Sequence, residues 1–356
     1  MVIGAGPSGS HVSALLARMG FSVRIVDLKE EIGIPNHCSG LVDRRVVEIV
    51  GDDLVIDRPL SATVFTPSGS FTLRSERMFV LDRISLDRKL AESALSEGAT
   101  LDRRTMLIGL RQENGSVASH LRRGGSSEIV RSKYVIGADG PTSAVRRFLG
   151  FPKPKLLRSI QYDLRGKTDS VKIFLDRSKL PDFFAWEIPH GGETEIGASG
   201  GGSLEIVNAL AKGEVIRKRG GVIPIGNVTP GSGNCFLVGD AAGMNKATTG
   251  GGLYGSLVSG GVLAASISDG GDVKEYGRRL LRGFGGEVNR ALKLRNILDS
   301  VERYYGLWVP FVKRSINGIN NVGDVDYPSK AFLYLLATSP LTFPLAFRNV
   351  IKNFSP

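Results

Sequence analysis

Gly4-Ala5-Gly6-Pro7-Ser8-Gly9, with Asp27 about 20 residues on, has the types and spacing to hold a dinucleotide. Gly4 permits a tight turn, Gly6 lets the backbone approach a pyrophosphate, and Gly9 lets helix and strand pack closely. The helix opening at Pro7-Ser8 turns its free amides to the phosphates, and Asp27 is placed to take the hydroxyls of an adenosine ribose. A carboxylate there disfavours a 2′-phosphate, so the slot suits FAD or NAD rather than NADP. A second glycine turn, Gly137-Ala138-Asp139-Gly140, ends an apolar strand, and a third, Gly239-Asp240-Ala241-Ala242-Gly243, ends another. After the third come Thr248-Thr249-Gly250-Gly251-Gly252 and a helix of small residues, which set a helix N-terminus and bare backbone beside a flat ring. Gly250 to Gly255 also fits G-x-G-x-x-G, but no acidic strand end follows in a second βαβ unit, which argues against a separate NAD(P) domain.

The elements that must position these turns are legible around them. Val2-Ile3, the small-residue stretch Ser10 to Met19 and Val23 to Asp27 give strand, helix, strand. Ser61 to Phe65 and Phe71 to Arg74 flank Pro67-Ser68-Gly69 as a hairpin, Asp82 to Glu97 has helical periodicity, and Thr100 to Ile136 reads as an antiparallel meander. Residues 151–221 alternate in strand fashion, and the chain beyond Asp272 is helical and basic. The expected fold class is α/β (α+β): a Rossmann-like dinucleotide-binding domain with an inserted antiparallel β-sheet domain and a C-terminal helical region. The predicted boundaries are 1–55, 79–150 and 225–272 for the discontinuous nucleotide domain, 56–78 and 151–224 for the substrate sheet, and 273–356 for the helices.

Composition excludes other classes. The 356 residues, 42% hydrophobic and 23% charged, support two or three packed domains rather than disorder or coiled coil. The two cysteines, Cys38 and Cys235, are too few and too far apart for a disulfide framework, an iron–sulfur cluster or a Cys-rich zinc site, and no His/Asp/Glu group has metal-ligand spacing. A net charge of +11 favours anionic partners, yet no Lys/Arg run with interleaved aromatics suggests nucleic acid. No basic and apolar leader opens the chain, which points to the cytoplasm, and the short first strand suggests a start codon a few residues upstream. Ala331 to Phe347 is an uncharged run of 17 residues interrupted by Pro340 and Pro344. It is short for a membrane span and, with Arg314, Lys330, Arg348 and Lys352 around it, reads either as a cover over a lipid pocket, as a peripheral contact with anionic membrane, or as a helical pack closing the core.

The three glycine fingerprints, in this order and spacing, resemble the flavoproteins related to p-hydroxybenzoate hydroxylase, and within them the geranylgeranyl reductase family, of the digeranylgeranylglycerophospholipid reductase-like kind. Phe184-Ala185-Trp186-Glu187-Ile188-Pro189 is similar to that family's Tyr-x-Trp-x-Phe-Pro substrate motif, with Phe for Tyr and Ile for Phe. Pro35-Asn36-His37-Cys38-Ser39-Gly40 resembles the family's Cys-containing loop that approaches the flavin. The resemblance implies FAD, with Asp240 near the ribityl and pyrophosphate region, Arg83 close to the cofactor, and Gly250, Gly251 and Gly252 beside the ring. It also implies reduction of isolated double bonds in a geranylgeranyl chain, on an archaeal-type glycerophospholipid or geranylgeranyl diphosphate. The partners are then an isoprenoid lipid and an external electron donor, NAD(P)H or ferredoxin.

On this reading reduced flavin gives hydride to one alkene carbon, and Cys38 or an ordered water gives the proton to the other. Cys38 serves either as that donor or as a small side chain packed under the ring. His37 tunes the thiol or caps the loop, and Cys235 begins an apolar strand as core. Phe184 and Trp186, two apart on a strand, share a face with Ile188 and suit the wall of an apolar slot, or ordinary sheet packing. Basic residues at the mouth would hold the phosphate. The alternatives on the same fold are an FAD monooxygenase or halogenase, since Trp186-Glu187-Ile188-Pro189 also partly fits a Trp-x-Trp-x-Ile-Pro pattern, and an electron-transfer flavoprotein to a membrane quinone.

Overall fold

A computed structural model of the chain describes residues 1–301 and 304–338. Val2–Ile3 lies in parallel between Arg24–Val26 and Val135–Gly137, and Cys235–Leu237 runs parallel beyond the latter. Thr100–Asp102 and Gly231–Ser232 complete a six-stranded sheet. These strands are near-continuous apolar runs because both faces are covered, with Ile25, Val135 and Leu237 completely buried. Since three neighbouring parallel strands each run into one of the glycine turns, all three turns leave the sheet at the same carboxyl edge. Helix Pro7–Arg18 packs there against helices Arg83–Ser96 and Leu253–Ser268.

The second layer is a seven-stranded sheet. Its order is Val215–Ile225, Lys155–Arg165, Glu193–Ser199, Ala185–His190, Val171–Phe174, Ser61–Thr66 and Gly69–Arg74. All neighbours are antiparallel except Val171–Phe174 with Ser61–Thr66. One face, carrying Tyr162, Leu164, Ala185, Ile196 and Ala198, is covered by helix Ser203–Leu210. The alternation read as strand throughout 151–221 hides this helix, which starts after Gly202 in the left-handed conformation, φ 78°. The opposite face buries Val171, Trp186 and Ile188 against Val80. Val80 belongs to Met78–Leu81, the centre of a small antiparallel sheet with Leu41–Asp43 and Val55–Asp57. The Cys38 loop enters that small sheet directly, so it is held between the two large ones.

The meander is Thr105–Glu113, Ser116–Arg123 and Ser126–Ser132. Among the described residues five helices follow Asp272, from Val273–Arg282 to Pro328–Thr338. Arg45 anchors the segment before the last helix through paired 2.8 Å bonds to both oxygens of Asp324. Burial works against that carboxylate's charge, but Arg45 and Lys330 outweigh it and hold the Asp324 pKa at about 2. The helix Pro328–Thr338 takes in the start of the uncharged run 331–347; its remainder, with Pro340, Pro344, Arg348 and Lys352, lies outside the described residues. Among the described residues no helix is long and apolar enough to cross a membrane.

Candidate functional site

The three glycine turns are locked to one another by backbone contacts. Gly4 N donates to Val26 O at 2.8 Å, Ala138 N to Ile3 O at 2.8 Å, and Val238 N to Gly137 O at 3.0 Å. A Cβ at Gly4 would stand 2.4 Å from the Ala138 carbonyl oxygen, and one at Gly9 would stand 1.9 Å from the Gly4 carbonyl oxygen. At Gly239, φ 58°, it would stand 2.5 Å from Ser8 Oγ. These glycines exist because elements touch there. Gly6 and Gly140 differ: an added Cβ meets nothing within 4 Å at either. Their bare faces line open space at the strand ends, where backbone can approach a ligand.

Two helices point uncapped N-termini into this space. Pro7–Arg18 starts from Gly6 and Leu253–Ser268 from Gly252; neither has a side-chain cap nor an acidic residue in its first turn. Around the second start, Asn245 Oδ1, Thr248 Oγ1 and Arg83 Nε are buried without hydrogen-bond partners. Open glycine faces, free helix amides and orphaned polar atoms together form a cradle of the shape and polarity that a flavin dinucleotide needs.

The acidic residues of the motifs are employed differently from one another. Asp27 Oδ2 accepts from Ala5 N at 2.6 Å and Oδ1 from Lys29 N at 2.7 Å, so the carboxylate braces the first turn while its remaining lone pairs face outward. Both oxygens of Asp139 are taken up locally, by Ser143 Oγ, Ala144 N and Val145 N. It therefore caps helix Ala144–Phe148, and burial pushes its pKa up despite those bonds. Asp240 lies against Gly252 and Asn245; burial raises its pKa to about 6, with Arg83 and Asn245 pulling the other way.

Arg83 opens helix Arg83–Ser96 after Asp82, whose side chain accepts from Ile84 N and Ser85 N. Its guanidinium is nine-tenths buried, with Nη2 on Asp87 Oδ1 at 2.7 Å. Burial works against its charge, but Asp87, Cys38 and their bonds to it more than compensate and raise its pKa. Cys38 is thus the arginine's neighbour. Its loop is pinned by Cys38 N to Asn36 Oδ1 at 3.0 Å, Gly40 N to Cys38 Sγ at 3.5 Å and Leu81 N to Gly40 O at 3.0 Å. Gly40 allows this approach: a Cβ there would lie 2.2 Å from Leu81 O. Cys235, in contrast, is fully buried core, and burial pushes its thiol up to about 12.

On the substrate sheet Phe184 meets Trp186 edge to face at 6.1 Å and stacks on Phe183 at 4.2 Å. Trp186 and Ile188 are 7% and 3% exposed, so they are packed wall rather than free surface, and Phe184 is the member left partly accessible. Pro189 is buried, one residue out of phase with Trp186 and Ile188. Phe183 reaches the flavin-side loop: a Cβ at Gly250 would lie 3.3 Å from its ring. The structure also brings up residues that no motif marked. Lys246, 3% exposed, donates to Asp326 Oδ1 at 2.6 Å and Val325 O at 2.7 Å, tying the third glycine loop to the C-terminal helices. Asp163, Gln161, Glu195 and Arg219 form a buried polar cluster beside Trp186. Among the described residues no group of His, Cys, Asp and Glu could hold a metal.

Comparison with known proteins agrees with this geometry. Residues 1–162 match the family model of the FAD binding domain. A digeranylgeranylglycerophospholipid reductase of Methanocella arvoryzae is 27% identical over 85% of this chain and 87% of its own. A second of that name, from Methanopyrus kandleri, is 30% identical over 85% of this chain and 86% of its own. Among solved structures, a geranylgeranyl bacteriochlorophyll reductase-like protein from Thermoplasma acidophilum superposes with a TM-score of 0.83 at 21% identity, covering 99% of this chain and 98% of that one.

Proposed function

This chain belongs to the digeranylgeranylglycerophospholipid reductase family, and we propose that it hydrogenates the isolated double bonds of geranylgeranyl chains in a glycerol lipid. The observation that carries the reading is the placement of Cys38 against Arg83, between the glycine cradle and the face that carries Phe184. FAD, when bound and reduced, supplies the hydride. Gly6, Pro7, Ser8 and Asp27 would hold its adenosine and pyrophosphate, with Gly4 and Gly9 keeping that turn close-packed; Asp139 and Gly140 shape the turn beside them. Gly239, Asp240 and Gly250 to Gly252 hold the ribityl chain and ring.

An unactivated alkene offers no carbonyl to polarise, so this site works by positioning and by excluding water. Phe184 contacts the chain, while Trp186, Ile188 and Pro189 keep that wall rigid. Cys38 holds the proton at Sγ and delivers it to the alkene carbon opposite the one receiving hydride. The S–H bond, the bond that held the hydride on its donor and the C=C π bond break as two C–H bonds form; Arg83 faces the thiolate left behind until solvent reprotonates it. The electron donor is external, and the net positive charge favours docking at an anionic lipid surface.

The test is anaerobic: photoreduce the FAD-loaded protein, add a digeranylgeranyl glycerophospholipid, follow flavin reoxidation, and weigh the lipid. Reoxidation with a gain of two mass units per double bond is expected. Reoxidation only on admitting oxygen, with a transient hydroperoxide spectrum and unchanged lipid, overturns the reading in favour of a monooxygenase.

A further inference from the structure

Beside its aromatic wall the substrate sheet carries a buried ionic cluster that hydride and proton transfer leave unused. Strand register sets Trp186, Gly197, Gln161 and Arg219 in one cross-strand row on the face toward the Cys38 loop. A Cβ at Gly197 would lie 2.3 Å from the Trp186 ring, so the indole lies over that glycine toward Gln161. Glu195, fully buried, divides its carboxylate: Oε1 accepts from Trp186 Nε1 at 2.8 Å and Oε2 from Arg219 Nη2 at 2.7 Å. The same Nη2 donates to Asp163 Oδ1, and Arg217 Nη1 donates to Asp163 Oδ2 at 2.9 Å.

The Arg219 side chain is 8% exposed, yet its Nε and Nη1, and Gln161 Oε1 beside it, are buried with no partner. Native structures rarely leave such groups unpaired. On its other side Arg219 acts on His37, whose Cβ would stand 3.1 Å from a Cβ at Gly221 and which precedes Cys38. The orphaned donors and acceptor therefore lie between the indole and the Cys38 loop.

We infer that Arg219 and Gln161 form a subsite for an uncharged oxygen, ether or hydroxyl, at the glycerol end of the lipid; this rests on the lipid-reductase reading. Charge decides against phosphate. Asp163 and Glu195 offset Arg219 and Arg217, and the Arg217 side chain is 54% exposed and screened by solvent, so the buried surroundings are neutral to negative. An anion there meets two buried carboxylates, whereas a neutral oxygen accepts from Arg219 without that repulsion. A hydroxyl can also donate to Gln161 Oε1; an ether oxygen cannot.

The experiment titrates the oxidised, FAD-loaded full chain with three micellar ligands, following the flavin spectrum: a digeranylgeranyl glycerol ether whose remaining hydroxyl is methylated, a tetraprenyl alcohol, and a tetraprenyl hydrocarbon without oxygen. Wild type is expected to bind an oxygenated ligand at least about tenfold tighter than the hydrocarbon. Arg219→Lys removes that advantage and leaves the hydrocarbon unchanged. Gln161→Met, which keeps every ion pair, weakens the alcohol but not the ether, so the two oxygen sources are told apart. If Arg219→Lys fails to bind FAD or to melt cooperatively, wild-type discrimination and the Gln161→Met alcohol titration decide alone. Equal binding of all three ligands by wild type, or equal shifts in the variants, overturns the subsite and leaves the reductase reading intact. Binding of none of the three overturns both.

Discussion

Gly6 and Gly9 stand three residues apart in one turn, yet the structure gives their substitution opposite consequences. At Gly6 the backbone is extended, φ −74° and ψ −176°, which alanine adopts freely, and its Cβ would meet no protein atom within 4 Å. Gly6→Ala should leave the apoprotein as stable as wild type, or up to about 0.4–1 kcal/mol more stable through lost freedom of the unfolded chain. In a chain of this size that moves Tm upward by no more than about 2–4 °C. The methyl instead fills the space a pyrophosphate must enter. If it keeps the phosphates from about two helix amides worth roughly 1.5 kcal/mol each, FAD affinity falls about 10²-fold. Gly9→Ala drives a methyl to 1.9 Å from the Gly4 carbonyl oxygen and 3.0 Å from Ala138 Cβ. Helix and strand must then separate, at a cost of about 3 kcal/mol or more, in the apoprotein as well. The assay is a thermal melt of each apoprotein beside an FAD titration by flavin fluorescence. Unchanged FAD affinity in Gly6→Ala, or an apoprotein Tm that drops as far as that of Gly9→Ala, refutes the assignment of the open face to the pyrophosphate.

Three further outcomes follow from the same geometry. Cys38→Ser should retain FAD with an unaltered affinity while lowering kcat for alkene reduction about 10²-fold or more; full turnover would show that water supplies the proton. Asp240, whose pKa is raised to about 6, binds a proton on folding. Its contribution is complete below about pH 4 and is lost as pH rises to about 6, amounting to about 3 kcal/mol. Asp240→Asn should abolish that slope in urea unfolding of the apoprotein and stabilise it at pH 7, and a slope that persists assigns the effect elsewhere. Trp186→Phe removes the donor to Glu195 Oε1 and leaves a fully buried carboxylate oxygen unpaired. Chemical denaturation should show a loss of about 1–3 kcal/mol, and a neutral result would mean that the indole bond is not formed.

The three glycine turns were legible because their constraints are local. A turn where an added Cβ would stand 2.4 Å from a neighbouring carbonyl oxygen, as at Gly4, admits only glycine, and that requirement is written in the chain itself. The FAD domain, the sheet inserted into it and the helical tail could be read from such turns and from periodicity. The cluster around Glu195 could not. Asp163, Glu195, Arg217 and Arg219 sit on three strands as polar residues in alternating patterns, which a sequence shows only as solvent-facing sheet. Strand register, set by Glu195 opposite Asp163 and Asp163 opposite Arg217, is what turns Asp163, Glu195 and Arg219 into a buried network with the exposed Arg217 at its rim. The helix Ser203–Leu210 was hidden for a related reason: Gly200-Gly201-Gly202 before it reads equally well as a hairpin turn.

The acidic residues of the second and third glycine motifs are used differently. Asp139 spends both oxygens capping Ala144–Phe148. That helix carries Arg146, whose Nη1 donates to Ala241 O at 3.1 Å and whose Nε donates to Pro152 O at 3.0 Å. The second motif therefore fixes the third by way of a single buried guanidinium. Asp240 makes no such cap: it stands at the start of a 3₁₀ turn against Gly252, and its raised pKa reflects burial that no backbone donor relieves. The same residue type, within two residues of a glycine in both motifs, is structural where amides are within reach. Where they are absent, as at Asp240, it keeps a raised pKa.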